Sequence, residues 1–309
     1  MIAMMTIAAW LAGVNHMPLP IVEEVNAQGV AGGVASDGDD PLTRPVASSR
    51  AAEWLAPAEP EKIFGTSYLV GFGGMSVALI DTGAGLVLVD GALPQAAPAI
   101  LANVRKLGFD PKDIKFILST EPHFDHAGGL AALARDTGAT VVASARGAEG
   151  LRSGKHADDD PQRAYGGSWP AVTRLRVIGD GEVLKLGKTS IAAVATPGHT
   201  MGSMSWRWQA CAGEGGNESC KTIVFAASLN PVSAEGYRFT SKAGAPFVKA
   251  FGESYRKMDV MACDVLISAH PDNAGPGRYN DSPGACRAYA GRSRGLLEKR
   301  LAAERAEKK

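Results

Sequence analysis

The sequence is short of several features that would steer its reading elsewhere. Its 32 Lys and Arg balance 32 Asp and Glu. No basic stripe with interleaved aromatics stands out, so a nucleic-acid partner is not expected. No Lys or Arg occurs before Arg44, and the apolar run Ile2 to Val14 is too short to cross a bilayer. There is no G-x-S-x-G elbow and no serine-based triad. None of the four cysteines sits in a C-x-x-C pair, and histidine occurs only six times. What remains is ample: a chain of 309 residues, 45% hydrophobic, buries a sizeable core within one large α/β domain.

The chemistry concentrates in Ser119-Thr120-Glu121-Pro122-His123-Phe124-Asp125-His126-Ala127-Gly128-Gly129. The apolar run Ile114 to Leu118 before it reads as a buried strand, and Leu130 to Arg135 after it as a helix. Carboxylates and imidazoles thus sit on a strand-to-helix turn, where open α/β proteins present rigidly held side chains. His123 and Asp125 lie on one side of an extended chain, and the bend turns His126. The economical reading is two adjacent metal sites, with His123 on one and Asp125 and His126 on the other. Two further histidines follow apolar runs in the same way: His199 after Ile191 to Ala195, and His270 after Val265 to Ile267.

Elsewhere, Phe64 to Leu69, Met75 to Ile80 and Leu86 to Asp90 read as strands, the last two forming a hairpin. Ala96 to Leu107 reads as a helix ended by Gly108, and Val141 to Ala143 as a strand. Gly147 to Gly167 is a polar, glycine-rich loop. Its His156 is expected to be an exposed loop histidine, with substrate contact as the alternative. Val183 to Val194, Ser205 to Trp208 and Lys221 to Ala226 suggest a second run of strands. Val248 to Met261 and Ala288 to Glu304 read as helices. Periodicity alone supports a single α/β or α+β domain.

The H-x-D-H turn, the stretch Pro197-Gly198-His199-Thr200-Met201-Gly202-Ser203 and the strand-end His270 together resemble the metallo-β-lactamase superfamily. Asp158-Asp159-Asp160-Pro161-Gln162, Ala227-Ser228-Leu229-Asn230-Pro231 with Gly236-Tyr237, and Cys263 and Cys286 bracketing His270 narrow the resemblance to subclass B3, from about Trp54 to Leu301. One departure stands out: the family pattern is H-x-H-x-D-H, and its first position here is Glu121.

The resemblance implies a four-layer αββα sandwich with metals at one edge between two sheets. It implies two zinc ions, one held by Glu121, His123 and His199, the other by Asp125, His126 and His270. The implied reaction is hydrolysis of the β-lactam ring amide by a metal-bound hydroxide, and hence antibiotic resistance. Asp125 orients the nucleophile, and Glu121 perturbs the first site by adding negative charge. Ser228 and Asn230 are the implied substrate-binding residues. Superfamily thioester and phosphodiester hydrolases carry an aspartate where Ser228 stands, which favours the β-lactam reading. The alternatives are a lactonase or other metallo-hydrolase of the superfamily, and a catalytically silent zinc protein. The expected partner is a small β-lactam, with no membrane and no obligate protein partner.

The four cysteines permit three pairings. A Cys211–Cys220 bridge would clamp a hairpin, and Cys263–Cys286 would tie the last strand's approach to the C-terminal helix. Two disulfides agree with an oxidising periplasm; four reduced, buried cysteines are the alternative. Residues 1–27 are expected to form an export signal although its positive segment is missing. Residues 28–50 are expected to form a flexible leader and 51–309 the domain; a disordered cytosolic tail is the alternative to the export signal.

Overall fold

Side-chain alternation along the strands decides the architecture. The computed structural model describes residues 40–213 and 218–307, so the expected export signal and the first part of the leader lie outside the described residues. The first half of the chain forms β1 (Glu61–Phe64), β2 (Ser67–Leu69), β3 (Ala78–Asp81), β4 (Leu86–Val89), β5 (Ile114–Leu118), β6 (Thr140–Ala143) and β7 (Leu175–Val177). These make one sheet in that order, with β4 to β7 parallel. The second half forms β8 (Val183–Leu186), β9 (Thr189–Ala195), β10 (Met204–Ala212), β11 (Ser219–Ala226), β12 (Val265–Ser268) and β13 (Asn280–Asp281). They make the other sheet, ordered from β13 to β8, with β11 and β12 parallel. The helices are α1 (Ala51–Trp54), α2 (Ala97–Lys106), α3 (Phe124–Ala127), α4 (Leu130–Thr137), α5 (Ala145–Ser153), α6 (Ala245–Val260), α7 (Pro271–Ala274) and α8 (Ala285–Ala306).

In β4, Leu86 and Leu88 enter a core with Ile100 and Val104 of α2 and Leu130 and Leu133 of α4. Val87 and Val89 point the other way, into a core shared with Trp206, Phe225 and Ile267 of the second sheet. On the far side of that sheet, Val224 and Leu266 meet Phe251 and Tyr255 of α6 and Tyr289 of α8. Period-two strands buried on both faces therefore build the expected αββα sandwich.

Three local expectations change. The strand read over Phe64 to Leu69 is a hairpin broken at Gly65, whose φ of 56° and close approach to the Cys211 carbonyl only glycine accommodates. The run from Val183 to Val194 likewise breaks into β8 and β9. The polar stretch from Gly147 opens within a helix, α5. Ser144 Oγ caps that helix by accepting the Gly147 N–H at 2.9 Å. Only Ala148 and Leu151 of α5 reach the core, too few apolar positions for periodicity to reveal.

Both disulfides form as expected. Cys211–Cys220 joins facing residues of β10 and β11, and Cys263–Cys286 ties the segment leading into β12 to α8. The second closes a sequence separation of 23. Removing it by a double Cys→Ser exchange is expected to lower unfolding free energy by about 3 kcal/mol. Urea unfolding checks this: an unchanged midpoint would rule it out.

Candidate metal centre

The site lies where the strands end. Asp90, just past β4 and in the left-handed region at φ 65°, accepts the Thr120 N–H at 2.7 Å and the Thr120 hydroxyl at 2.6 Å. These bonds fix the turn leaving β5. Asp90 Oδ2 also lies 3.2 Å from His126 Nδ1; since a carboxylate only accepts, Nδ1 carries a proton and Nε2 is the nitrogen that faces inward. Gly129 is required here by close approach, because a Cβ would strike the Gly91 carbonyl oxygen.

The other histidines are oriented in the same fashion. His123 Nε2 donates to Asp160 Oδ2 at 2.9 Å, turning Nδ1 inward. His199, after β9, donates from Nδ1 to the Asn230 carbonyl at 2.8 Å and leaves Nε2 inward. Gly198 (φ 143°) lies against the Phe251 ring, where a side chain would collide. His270, past β12, packs on Trp54 with ring centroids 5.6 Å apart.

Glu121 stands between these rings, and its two oxygens differ. Oε2 accepts the Ser228 N–H at 2.9 Å. Oε1 is buried without a hydrogen-bond partner and lies 3.1 Å from His126 Nε2, 3.4 Å from His199 Nε2 and 3.8 Å from His123 Nδ1. Asp125 Oδ2 lies 3.4 Å from His126 Nε2 and 3.2 Å from His270 Nε2. Six side chains from three distant stretches therefore meet as two donor groups, Glu121–His123–His199 and Asp125–His126–His270. Glu121 Oε1 is nearer His126 of the second group than either imidazole of its own. Oriented imidazoles around a donorless buried carboxylate oxygen are a fitting ligand set for zinc.

The groups charge one another. Burial raises Asp90. Burial alone would lower His126, but Glu121 and Asp125 outweigh it and hold its pKa well above the ordinary value. Burial likewise opposes the charge on Asp125 and Glu121; for Asp125, His126 wins, and for Glu121, His126 and His199 do. His199 is lowered, chiefly by burial.

A cavity of about 600 Å³ opens over the site, lined by His123, Asp125, His199, Ser228, Asn230 and His270 among others. Both residues expected to bind substrate are on its wall. Asn230 Oδ1 is buried without a partner, and Ser228 meets Glu121 through its backbone. Sequence reasoning missed Asp90, Asp160, Trp54 and the Asn230 carbonyl, which aim the candidate ligands. It also missed Gln162, whose Nε2 lies 2.9 Å from His199 Nε2. Two signals were available: Asp90 ends a strand beside the motif strand, and Asp160 and Gln162 lie in the acidic stretch that carries the resemblance. His156 departs from both expectations, since its side chain is 4% exposed and packs beside His123.

The metallo-β-lactamase superfamily model matches residues 62–208. A solved structure presented as the first B3 metallo-β-lactamase with an active-site glutamic acid is 73% identical, covering 86% of this chain and 99% of that one, with a TM-score of 0.84. The Rm3 metallo-β-lactamase is 38% identical, covering 84% and 100%, with a TM-score of 0.79. A hydroxyacylglutathione hydrolase of Rhodospirillum rubrum is 26% identical over 174 residues, covering 56% of this chain and 53% of that protein. The chain spans about half the length of that relative and of YobT from Bacillus subtilis. With a family pattern followed at every position except Glu121 and likeness over nearly the whole length of the solved relatives, the chain belongs to the subclass B3 metallo-β-lactamases, as a variant with glutamate at the first motif position.

Proposed function

We propose that the protein hydrolyses the amide bond of β-lactams with two zinc ions. The carrying observation is the convergence of two three-residue donor groups under one cavity. Glu121, His123 and His199 would hold one ion, and Asp125, His126 and His270 the other. When bound, the ions supply Lewis acidity at the ring carbonyl and departing nitrogen and lower the pKa of water.

The chain's residues do the rest. Asp125 accepts a hydrogen bond from the attacking water and orients it. The water oxygen bonds to the carbonyl carbon, the C–N bond breaks, and the nitrogen takes up a proton. Ser228 and the Asn230 amide hold the substrate carboxylate at the cavity wall. Glu121 brings a negative charge where the family pattern has a neutral imidazole, which weakens Lewis acidity at its side of the site. Ser228 in place of an aspartate favours the lactam over the thioester of the hydroxyacylglutathione hydrolase relatives.

The test is hydrolysis of nitrocefin and a carbapenem, with a homoserine lactone for comparison. Loss with EDTA and recovery with zinc are expected; lactone turnover alone would move the activity to a lactonase, and no turnover with one zinc bound would mark a silent zinc protein. Ser228→Ala is expected to raise KM about tenfold with kcat little changed, as for a group binding substrate and transition state alike. A kcat-only effect would remove Ser228 from that role. We also infer export to the periplasm, supported by the two disulfides. Among the described residues no helix is long and apolar enough to cross a membrane.

A further inference from the structure

His156 is a buried imidazole that the reaction leaves unused. Neither ring nitrogen has a hydrogen-bond partner, a condition that calls for an explanation in a folded protein. The ring is edge-on to Trp169 at 5.4 Å and tilted against His123 at 5.1 Å. Nδ1 lies 3.8 Å from Asp160 Oδ2, itself 2.9 Å from His123 Nε2. The Gln162 N–H, donating to Asp160 Oδ1 at 2.7 Å, keeps Oδ2 turned toward both rings. One donor atom each from His123, His156 and Asp160 falls within 4.8 Å of the others.

We propose that His123, His156 and Asp160 form a third cation site behind the His123 ring, suited to zinc. Two imidazoles and a carboxylate are a three-ligand set for that ion, leaving a position for water. His156 also lines a shallow cavity of about 560 Å³ with Arg146, Glu149, Lys155, Asp158 and Asp159. His156 is not on the wall of the catalytic cavity. Binding replaces the proton on His123 Nε2, which leaves to solvent, and the hydrogen bond to Asp160 is lost. Since that bond aims Nδ1 at the catalytic groups, filling the third site disturbs the first. Excess zinc then inhibits.

The test is zinc counting after equilibrium dialysis at rising free zinc, for wild type, His156→Phe and His156→Gln. At high zinc the wild type is expected to hold one equivalent more than either variant, and the variants to lose the excess-zinc inhibition. This difference does not depend on how many ions the catalytic groups hold or on which substrate is cleaved. Equal counts in wild type and both variants would overturn the site. Crystals of the wild type soaked in zinc provide a check independent of variant folding. An anomalous peak between His156 and Asp160 is expected, and no density there at saturating zinc refutes the proposal.

Discussion

Glu121→Ala is expected to cost about one equivalent of zinc and to lower kcat/KM about 10³-fold. An ion that polarises a reacting carbonyl contributes several kcal/mol, and each 1.36 kcal/mol is about a factor of ten. The exchange leaves only His123 and His199 in the first group, fewer than the three protein ligands of a usual catalytic zinc. Glu121→His is the sharper experiment, because Glu121 does two things. Its Oε1 faces the imidazoles while its Oε2 accepts the buried Ser228 N–H. A histidine could take over the first task but not the second, since a metal-bound neutral imidazole carries a proton on its other nitrogen. Tighter zinc and faster hydrolysis at limiting zinc are expected, together with a stability loss of about 1–3 kcal/mol from the unpaired amide. Competition with a zinc indicator and thermal melting read the two effects separately. If neither metal affinity nor hydrolysis rises, Glu121 is not what weakens the first site.

Asp125→Ala is expected to lower kcat/KM by about 10³-fold as well, since it removes a ligand and the acceptor that orients the attacking water. Asp90→Asn provides the contrast. It leaves all six donors in place and disturbs the aim of His126 together with the Thr120 bonds that hold the turn, so zinc affinity should weaken about 10- to 100-fold. Equal losses in the two variants would contradict this division of roles. The charges also set a pH dependence. In the metal-free protein the Glu121 and Asp125 carboxylates hold His126 well above the usual 6.5, and that proton must leave before zinc binds. The raised pKa favours the protonated metal-free form, so zinc affinity should fall as pH drops through the raised value. The decline begins at higher pH than an ordinary histidine would give, by about tenfold per unit for one proton. Zinc titrations across neutral to alkaline pH, with Glu121→Gln for comparison, show whether the decline moves to lower pH when the carboxylate is neutralised.

Much of the molecule was legible because the signals were local. Ile114 to Leu118 is a continuous apolar run followed by a ligand-rich turn, and it is β5 leading into α3. His199 and His270 each follow such a run. The cysteines were paired by the hairpin and helix they flank. Where local composition was mixed, reading failed: α5 carries two core side chains on an otherwise polar helix, and its register shows only against the sheet. Asp90 is an ordinary carboxylate in sequence, and Asp160 stands in a stretch that supports the resemblance without showing what it contacts. They matter because β4 pairs with β5, and because the loop after α5 folds back on His123.

The sequence by itself determined a single α/β or α+β domain and the residue types that chelation chemistry demands, because hydrophobic period and ligand chemistry are written residue by residue; the αββα sandwich came only with the family resemblance. Tertiary structure alone decided which nitrogen of each imidazole faces inward, that one oxygen of Glu121 is tied to Ser228 while the other is left to the rings, and that His156 is buried beside Asp160. Those are properties of distance and angle between segments far apart in the chain, and no one segment's composition specifies them.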